Sequence, residues 1–239
     1  MEWQDQGVLL TVRRHGEGAA IIEVFTEHHG LHAGLVRGGA SRKSAPILQP
    51  GAQLALTWRA RLEDQLGSYT VEPIFSRNAA ILSERRKLYA FNALAAMLAS
   101  YLPEREPNNV LFDSCMDLLM RLHSNENWPH RYCLFEQEFL ESLGYGIDLR
   151  RCAVTGAGDD LAYVSPKSGR AVSREAAKGW ESRLLEFPEF LRKDELVDIS
   201  DADFRRALAL SGYFFESRIP TARPGLPEPR QRLAELLAR

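Results

Sequence analysis

The sequence predicts an α+β chain: a small five-stranded β-barrel first, then a helical domain. The prediction rests on a change of period. Short segments rich in β-branched and aromatic residues, one of them alternating, fill residues 8–74, and apolar residues then recur every three or four positions from Ser83 onward. With 239 residues, 45% hydrophobic and 26% charged, the chain can bury a real core. That excludes wholesale disorder and the fibrous and disulfide-scaffold classes.

Residues 8–14 form a candidate strand, and residues 19–26 (AAIIEVFT) a stronger one, dense in β-branched and aromatic side chains. Glu27-His28-His29-Gly30 reads as a turn closing on glycine, and residues 31–36 as the third strand. Residues 53–60 set Leu54, Leu56 and Trp58 against polar or small neighbours, and residues 66–74 close the set. Five short strands with little helical pattern between them suggest a closed barrel, with the five-stranded OB barrel the natural candidate. This assigns residues 1–80 to a β domain and residues 81–239 to an all-helical one.

In the second part Ser83 is the expected N-cap of a helix whose face carries Leu88, Phe91, Leu94, Leu98 and Tyr101, ended by Pro103. Leu111, Cys115, Leu118, Leu119 and Leu122 mark a second helix. Tyr132, Phe135, Phe139 and Leu143 mark a third, stopped by Gly144. Residues 149–169 look like loop, and helical spacing returns at Phe204, Leu208, Ser211 and Phe215. Four prolines from Pro220 to Pro229 predict an extended connector before a short terminal helix from Arg230.

Charge is informative by segment only, since the net charge is −2. Between His28 and Leu62 lie Arg37, Arg42, Lys43, Arg59 and Arg61, and no acid at all. Three of them sit on Arg37-Gly38-Gly39-Ala40-Ser41-Arg42-Lys43-Ser44, which reads as a flexible loop of small residues. Phosphates ask for cations on a sterically open chain with backbone N–H groups beside them. Arg13 and Arg14 join this set from the first strand, and Arg85, Arg86 and Lys87 form a second cluster at the domain junction. Trp58, Tyr69 and Phe25 are candidate stacking platforms for bases, although aromatics are more often core.

Catalytic and membrane motifs are missing. There is no G-x-x-x-x-G-K-[ST], G-x-S-x-G, H-E-x-x-H or strand-linked G-x-G-x-x-G, and the expectation is a non-enzyme without cofactor. His28, His29 and His32 have only Glu27 as a nearby acid, which argues against a metal there. No apolar run reaches membrane length, the first residues are polar, and three scattered cysteines fit a reducing cytoplasm.

With both domains placed, the chain resembles the RecO family of bacterial recombination mediators and DNA repair proteins. The matching residues begin with Gly7-Val8-Leu9, Arg14-His15-Gly16-Glu17, Phe25-Thr26-Glu27 with Gly30, the Arg37–Ser44 loop and Leu48-Gln49-Pro50. They continue through Phe135-Glu136, Leu140-Glu141-Ser142-Leu143-Gly144-Tyr145, Leu149, Cys152, Tyr163-Val164-Ser165-Pro166-Lys167-Ser168-Gly169, and Leu226-Pro227 to Arg230. The resemblance implies an OB domain that binds single- and double-stranded DNA, and annealing of complementary strands. It also implies help, with RecR, in loading the recombinase RecA onto strands coated by single-strand-binding protein. Action would be cytoplasmic, at the nucleoid during repair.

Two further expectations follow from the resemblance. The C-terminal tail of the single-strand-binding protein would dock on the helical domain, with Arg121 and Arg131 beside Leu118, Leu122 and Tyr132 as candidates and Phe135 adjoining. Many relatives carry two C-x-x-C pairs as a zinc site. The corresponding positions here are Cys152, Thr155, Ser173 and Ala176, within a segment of about residues 149–178, so the zinc-finger-like loop is degenerate and no structural zinc is expected. The rival readings are an OB-fold RNA-binding protein and an OB-containing nucleic-acid enzyme. Phosphates look alike to a basic surface, whereas an enzyme would need clustered carboxylates or a nucleotidyl-accepting lysine.

Overall fold

Strand β1 (Glu2–His15) is the longest in the fold, and it changes partner along its length. Its first half, Glu2 to Val8, pairs antiparallel with β4 (Gln53–Arg59), and its second half, from Gly7, pairs with β2 (Ala19–Thr26). The changeover requires a glycine: a Cβ on Gly7 would lie 2.5 Å from Val24 Cγ1 and 2.8 Å from the Phe25 carbonyl oxygen. A bulge between Leu9 and Thr11 adds the bend. The strand begins six residues before the predicted residue 8, because the polar residues 2–7 show no alternation.

Strand β3 (Gly30–Val36) pairs with β2, and β5 (Ser68–Phe75) lies antiparallel to β4 and parallel to the end of β3. The order β1-β2-β3-β5-β4 closes back on β1, as an OB barrel requires. The computed structural model describes residues 1–193, 195–221 and 224–238. Leu9, Ile22, Val24, Leu54, Leu56 and Trp58 fill the barrel, and Leu48 and Ala52 close it from the loop before β4.

Two compact units emerge, Met1–Ser124 and Asn125–Arg239. The change of period near residue 80 therefore marks where strands give way to helices. The first unit extends past it to include α1 (Asn78–Leu82), α2 (Arg85–Tyr101) and α3 (Asn109–Ser124). Ser83 does not cap α2. It ends α1, a helix too short to register as periodicity, and its hydroxyl donates to the Ala80 carbonyl at 2.9 Å. Asn108 Oδ1 accepts the Leu111 N–H and starts α3 slightly before the apolar stripe.

The second unit is not all helix. Its helices are α4 (Trp128–Ser142), α5 (Asp201–Arg218) and α6 (Glu228–Leu236). Helix α4 starts one turn earlier than Tyr132 because Pro129 suits a first helical turn, and Gly144, at φ +85°, follows its end. Ser200 caps α5 through the Asp203 N–H. A small sheet of order β7-β6-β8 interrupts the helices: β6 (Leu161–Val164), β7 (Ala171–Ser173) and β8 (Leu185–Glu186). Strands of four, three and two residues are too short to show alternation, and β6 lies within the glycine-containing residues 149–169 that the sequence presents as loop. Part of the proline-rich connector, residues 222–223, lies outside the described residues.

Helices α4, α5 and α6 share one buried ion pair. Arg230 Nη2 lies 2.8 Å from Glu136 Oε2 and donates to the Leu208 carbonyl, while the Ser211 hydroxyl donates to the same carboxylate. Both charged side chains are 1% exposed, so each satisfies a partner that would otherwise be stranded in an apolar interior.

Candidate nucleic-acid interface

Strand register gathers cations from distant parts of the sequence. Around the barrel, Arg13 faces Ile21, Ile21 faces Leu35, Leu35 faces Ser68, and Ser68 faces Arg59. Paired residues share a face, and this row is the outward one: Arg13 and Arg59 are exposed, and the three residues between them are half-buried. The neighbouring row, Ala20, Val36, Tyr69 and Trp58, points inward and is buried. Arg14, opposite Ala20, and Arg37, just beyond Val36, extend past the packed row and are exposed. A groove of about 480 Å³ opens here, lined by Arg37, Ser44, Ile47, Arg59, Thr70 and Val71 among others.

The Arg37–Ser44 loop is not the open tether its composition predicts. Successive turns wind it: Ser41 N–H donates to the Gly38 carbonyl at 3.0 Å, Ser44 N–H to the Ser41 carbonyl at 3.1 Å, and Leu48 N–H to the Ser44 carbonyl at 2.9 Å. The Ser44 hydroxyl reaches back to the Gly38 carbonyl at 2.9 Å. Gly39 is packed so closely that a Cβ would lie 2.8 Å from Ala20 Cβ. Arg42 and Lys43 therefore project, exposed, from an ordered platform rather than from a loose chain.

The remaining basic candidates divide. Arg61 is exposed in the β4–β5 connection. Arg59 already has an acidic neighbour, Glu2, at 2.8 Å. Arg85 is exposed and packs over the Tyr89 ring at 5.4 Å, and Arg86 is half-buried. Lys87 drops out of the set: its side chain is 4% exposed and its ammonium lies 2.7 Å from Glu84. On a helix next to the barrel, that lysine buries its stem and spends its charge locally.

The aromatic platforms are corrected as well. Trp58 and Tyr69 belong to the barrel core, and Phe25, also fully buried, packs edge-on against Phe112 of α3. The Trp58 indole donates to the Leu66 carbonyl, and the Tyr69 hydroxyl lies 3.0 Å from His32 Nδ1. Burial pushes His32 down to about 4, so it is neutral near pH 7. The barrel end presents cations without exposed rings from this trio.

The candidate tail-docking residues are not an apolar surface. Leu118 and Leu122 are fully buried in the first unit, and Tyr132 is fully buried in the second. Arg121 pairs with Asp117 one turn away at 3.1 Å, and Arg131, itself buried, pairs with Glu138 at 3.1 Å. The helical spacing that marked these apolar residues marks core.

The degenerate zinc positions do converge. Cys152 Sγ lies 3.6 Å from Ser173 Oγ and accepts the Ser173 N–H at 3.4 Å, while the Ala176 N–H donates to Ser173 Oγ. Burial opposes a charged sulfur here. The Thr155 hydroxyl and N–H and the N–H groups of Ser173 and Val154 outweigh it, bringing the Cys152 thiol down to about 6. Four backbone and hydroxyl donors pointing at one sulfur suit an anion. They do not make a zinc shell, because three of the four ligand positions offer a neutral hydroxyl or a methyl group.

Comparison with known proteins agrees with this architecture. Residues 1–77 match the N-terminal family of recombination protein O, and residues 82–226 match its C-terminal family. A DNA repair protein RecO from a Ruegeria species is 54% identical over 242 residues, covering all of this chain and 99% of that protein. RecO proteins of Cereibacter sphaeroides and of a Chelativorans species are 54% and 45% identical, again over the whole of this chain. The barrel, the helical unit and full-length identity at this level converge: the chain belongs to the RecO family of DNA repair and recombination proteins.

Proposed function

We propose that this chain is a non-catalytic recombination mediator that binds single- and double-stranded DNA at the end of its barrel, anneals complementary strands and, with RecR, helps load recombinase onto strands coated by single-strand-binding protein. The observation that carries the DNA-binding step is the convergence of Arg13, Arg14, Arg37, Arg42 and Lys43 on one barrel end, beside a groove of about 480 Å³. Two cations on the end of β1 and three on the wound loop after β3 would neutralise phosphates without reading bases, which suits a protein that acts on any sequence. Annealing needs two backbones held close together, and neutralising both lowers their repulsion.

For tail docking we propose residues of the second unit other than those the sequence suggested. There a groove of about 660 Å³ sets Ile147, Leu149 and Leu191 beside Arg150, Arg192 and Lys193, with Glu141 and Asp148 on the same lining and Asp148 3.2 Å from Arg150. Three cations against two acids leave this polar groove one positive charge to offer a peptide's terminal carboxylate. The test is annealing of complementary strands precoated with the cognate single-strand-binding protein. Arg42→Ala with Lys43→Ala should slow annealing of bare and coated strands alike, whereas Arg150→Glu with Lys193→Glu should slow it on coated strands alone. Normal annealing by the first variant overturns the barrel-end assignment, and competition from RNA of matched length as strong as from DNA overturns the choice of substrate.

A further inference from the structure

The β2–β3 turn holds a cluster that the DNA-binding surface does not use. In sequence, His28 and His29 have no acidic neighbour but Glu27. The barrel supplies a second, Asp5, from the opening stretch of β1. The Asp5 side chain is 1% exposed; its Oδ1 lies 3.0 Å from His28 Nδ1 and its Oδ2 2.8 Å from His29 Nδ1. Glu27 Oε2 lies 3.9 Å from His28 Nδ1 and is held in place by Gln6 Nε2 at 2.6 Å. One donor atom each from Asp5, Glu27 and His28 therefore falls within 4.8 Å of the others. A solvent-open groove of about 520 Å³ runs past all three.

We infer that Asp5, Glu27 and His28 bind an exchangeable divalent cation of the zinc class, leaving a fourth position open to solvent. The donor spacing is the first argument. Bonds of about 2.1 Å in a tetrahedral shell put ligand atoms about 3.4 Å apart, between the observed 3.0 and 3.9 Å. Chemistry is the second. One imidazole with two carboxylates selects a transition cation over magnesium or calcium, which take all-oxygen shells. The supporting groups are the third. The N–H groups of Gln6 and His28 fix the Asp5 carboxylate, and His29, stacked on Trp3 at 4.0 Å, braces its other oxygen. The cation would replace the proton shared between His28 and Asp5, neutralise a buried carboxylate, and pin the start of β1 to the turn.

Zinc chloride titrated calorimetrically into the chelator-stripped full chain, at mildly alkaline pH where imidazoles are neutral, tests this. One saturable equivalent is expected. His28→Gln, exposed, and Glu27→Gln, half-buried on the same turn, should each weaken it at least about tenfold. His15→Gln, at the far end of β1, and Cys152→Ser should leave it unchanged. Absence of saturable uptake overturns the inference. So does an isotherm unaltered by His28→Gln and Glu27→Gln, or one abolished by Cys152→Ser.

Discussion

Removing Arg42 and Lys43 together is the sharpest perturbation of the barrel end, because neither takes part in the hydrogen bonds that wind their loop. Both are exposed, and neither has an acidic partner among the described residues; the same holds for Arg13, Arg14 and Arg37. If all five meet phosphates, log K should fall with log salt with a slope of about −3.5 on single strands, at about 0.7 per contact. A fourfold rise in salt then weakens binding about 130-fold. The double variant keeps three contacts, so its slope should be about −2.1 and its loss over the same range about 18-fold. Fluorescence anisotropy of a labelled oligonucleotide across a salt series reads both numbers directly, and the change should be alike for unrelated sequences. Lys87→Ala is the internal control, since that ammonium is already paired with Glu84 and should not alter the slope. A double variant with the wild-type slope refutes the reasoning, whatever its affinity.

Three further outcomes follow from the second unit. Arg230→Ala strands the Glu136 carboxylate among α4, α5 and α6 and should cost about 3–5 kcal/mol in chemical denaturation; a loss below about 1 kcal/mol would show that water reaches the carboxylate. The Cys152 thiol is depressed in the folded chain to about 6, below its unfolded range, so its contribution is full above the unfolded value and lost as pH falls through about 6. The stability gap between the wild type and Cys152→Ala should accordingly widen as pH rises from about 6 toward 9, and a flat gap would contradict the hydrogen-bonded thiolate. Elemental analysis of chelator-treated, still-folded protein should find no zinc, and metal released only on unfolding would restore a structural site to the Cys152 segment.

What the sequence disclosed and what it hid divide along sequence separation. Local composition and alternation located β2 to β5 and the second half of β1, because each signal lies within its own eight or so residues. The longer helices were equally visible, through stripes such as Leu111, Cys115, Leu118 and Leu122. The same stripes misled wherever function was read into them: Leu118, Leu122 and Tyr132 looked like a pocket and are core. Trp58 and Tyr69 looked like platforms for the same reason, although their place in an alternating strand already put them on the inward face.

Pairings across the fold carry the rest, and no local pattern announces them. Glu2 moderates Arg59 from 57 residues away, Asp5 reaches His28 and His29 across 23 and 24, and Glu136 meets Arg230 across 94. Each turns on strand register or helix docking, which fix geometry only once the chain has closed. The opening stretch of β1 shows this most clearly. It lacks the alternation that would mark it as strand, yet it seals the barrel against β4 and delivers Asp5 to the β2–β3 turn. Its polarity follows from that position: with β4 supplying the backbone hydrogen bonds, residues 2–6 need not be apolar to stay in register. They are free to carry the charges that tie the barrel seam to the turn. The barrel thus places two chemistries apart on one scaffold, exposed cations where β1 ends and β3 gives way to its loop, and a carboxylate–imidazole cluster at the turn where β2 meets β3.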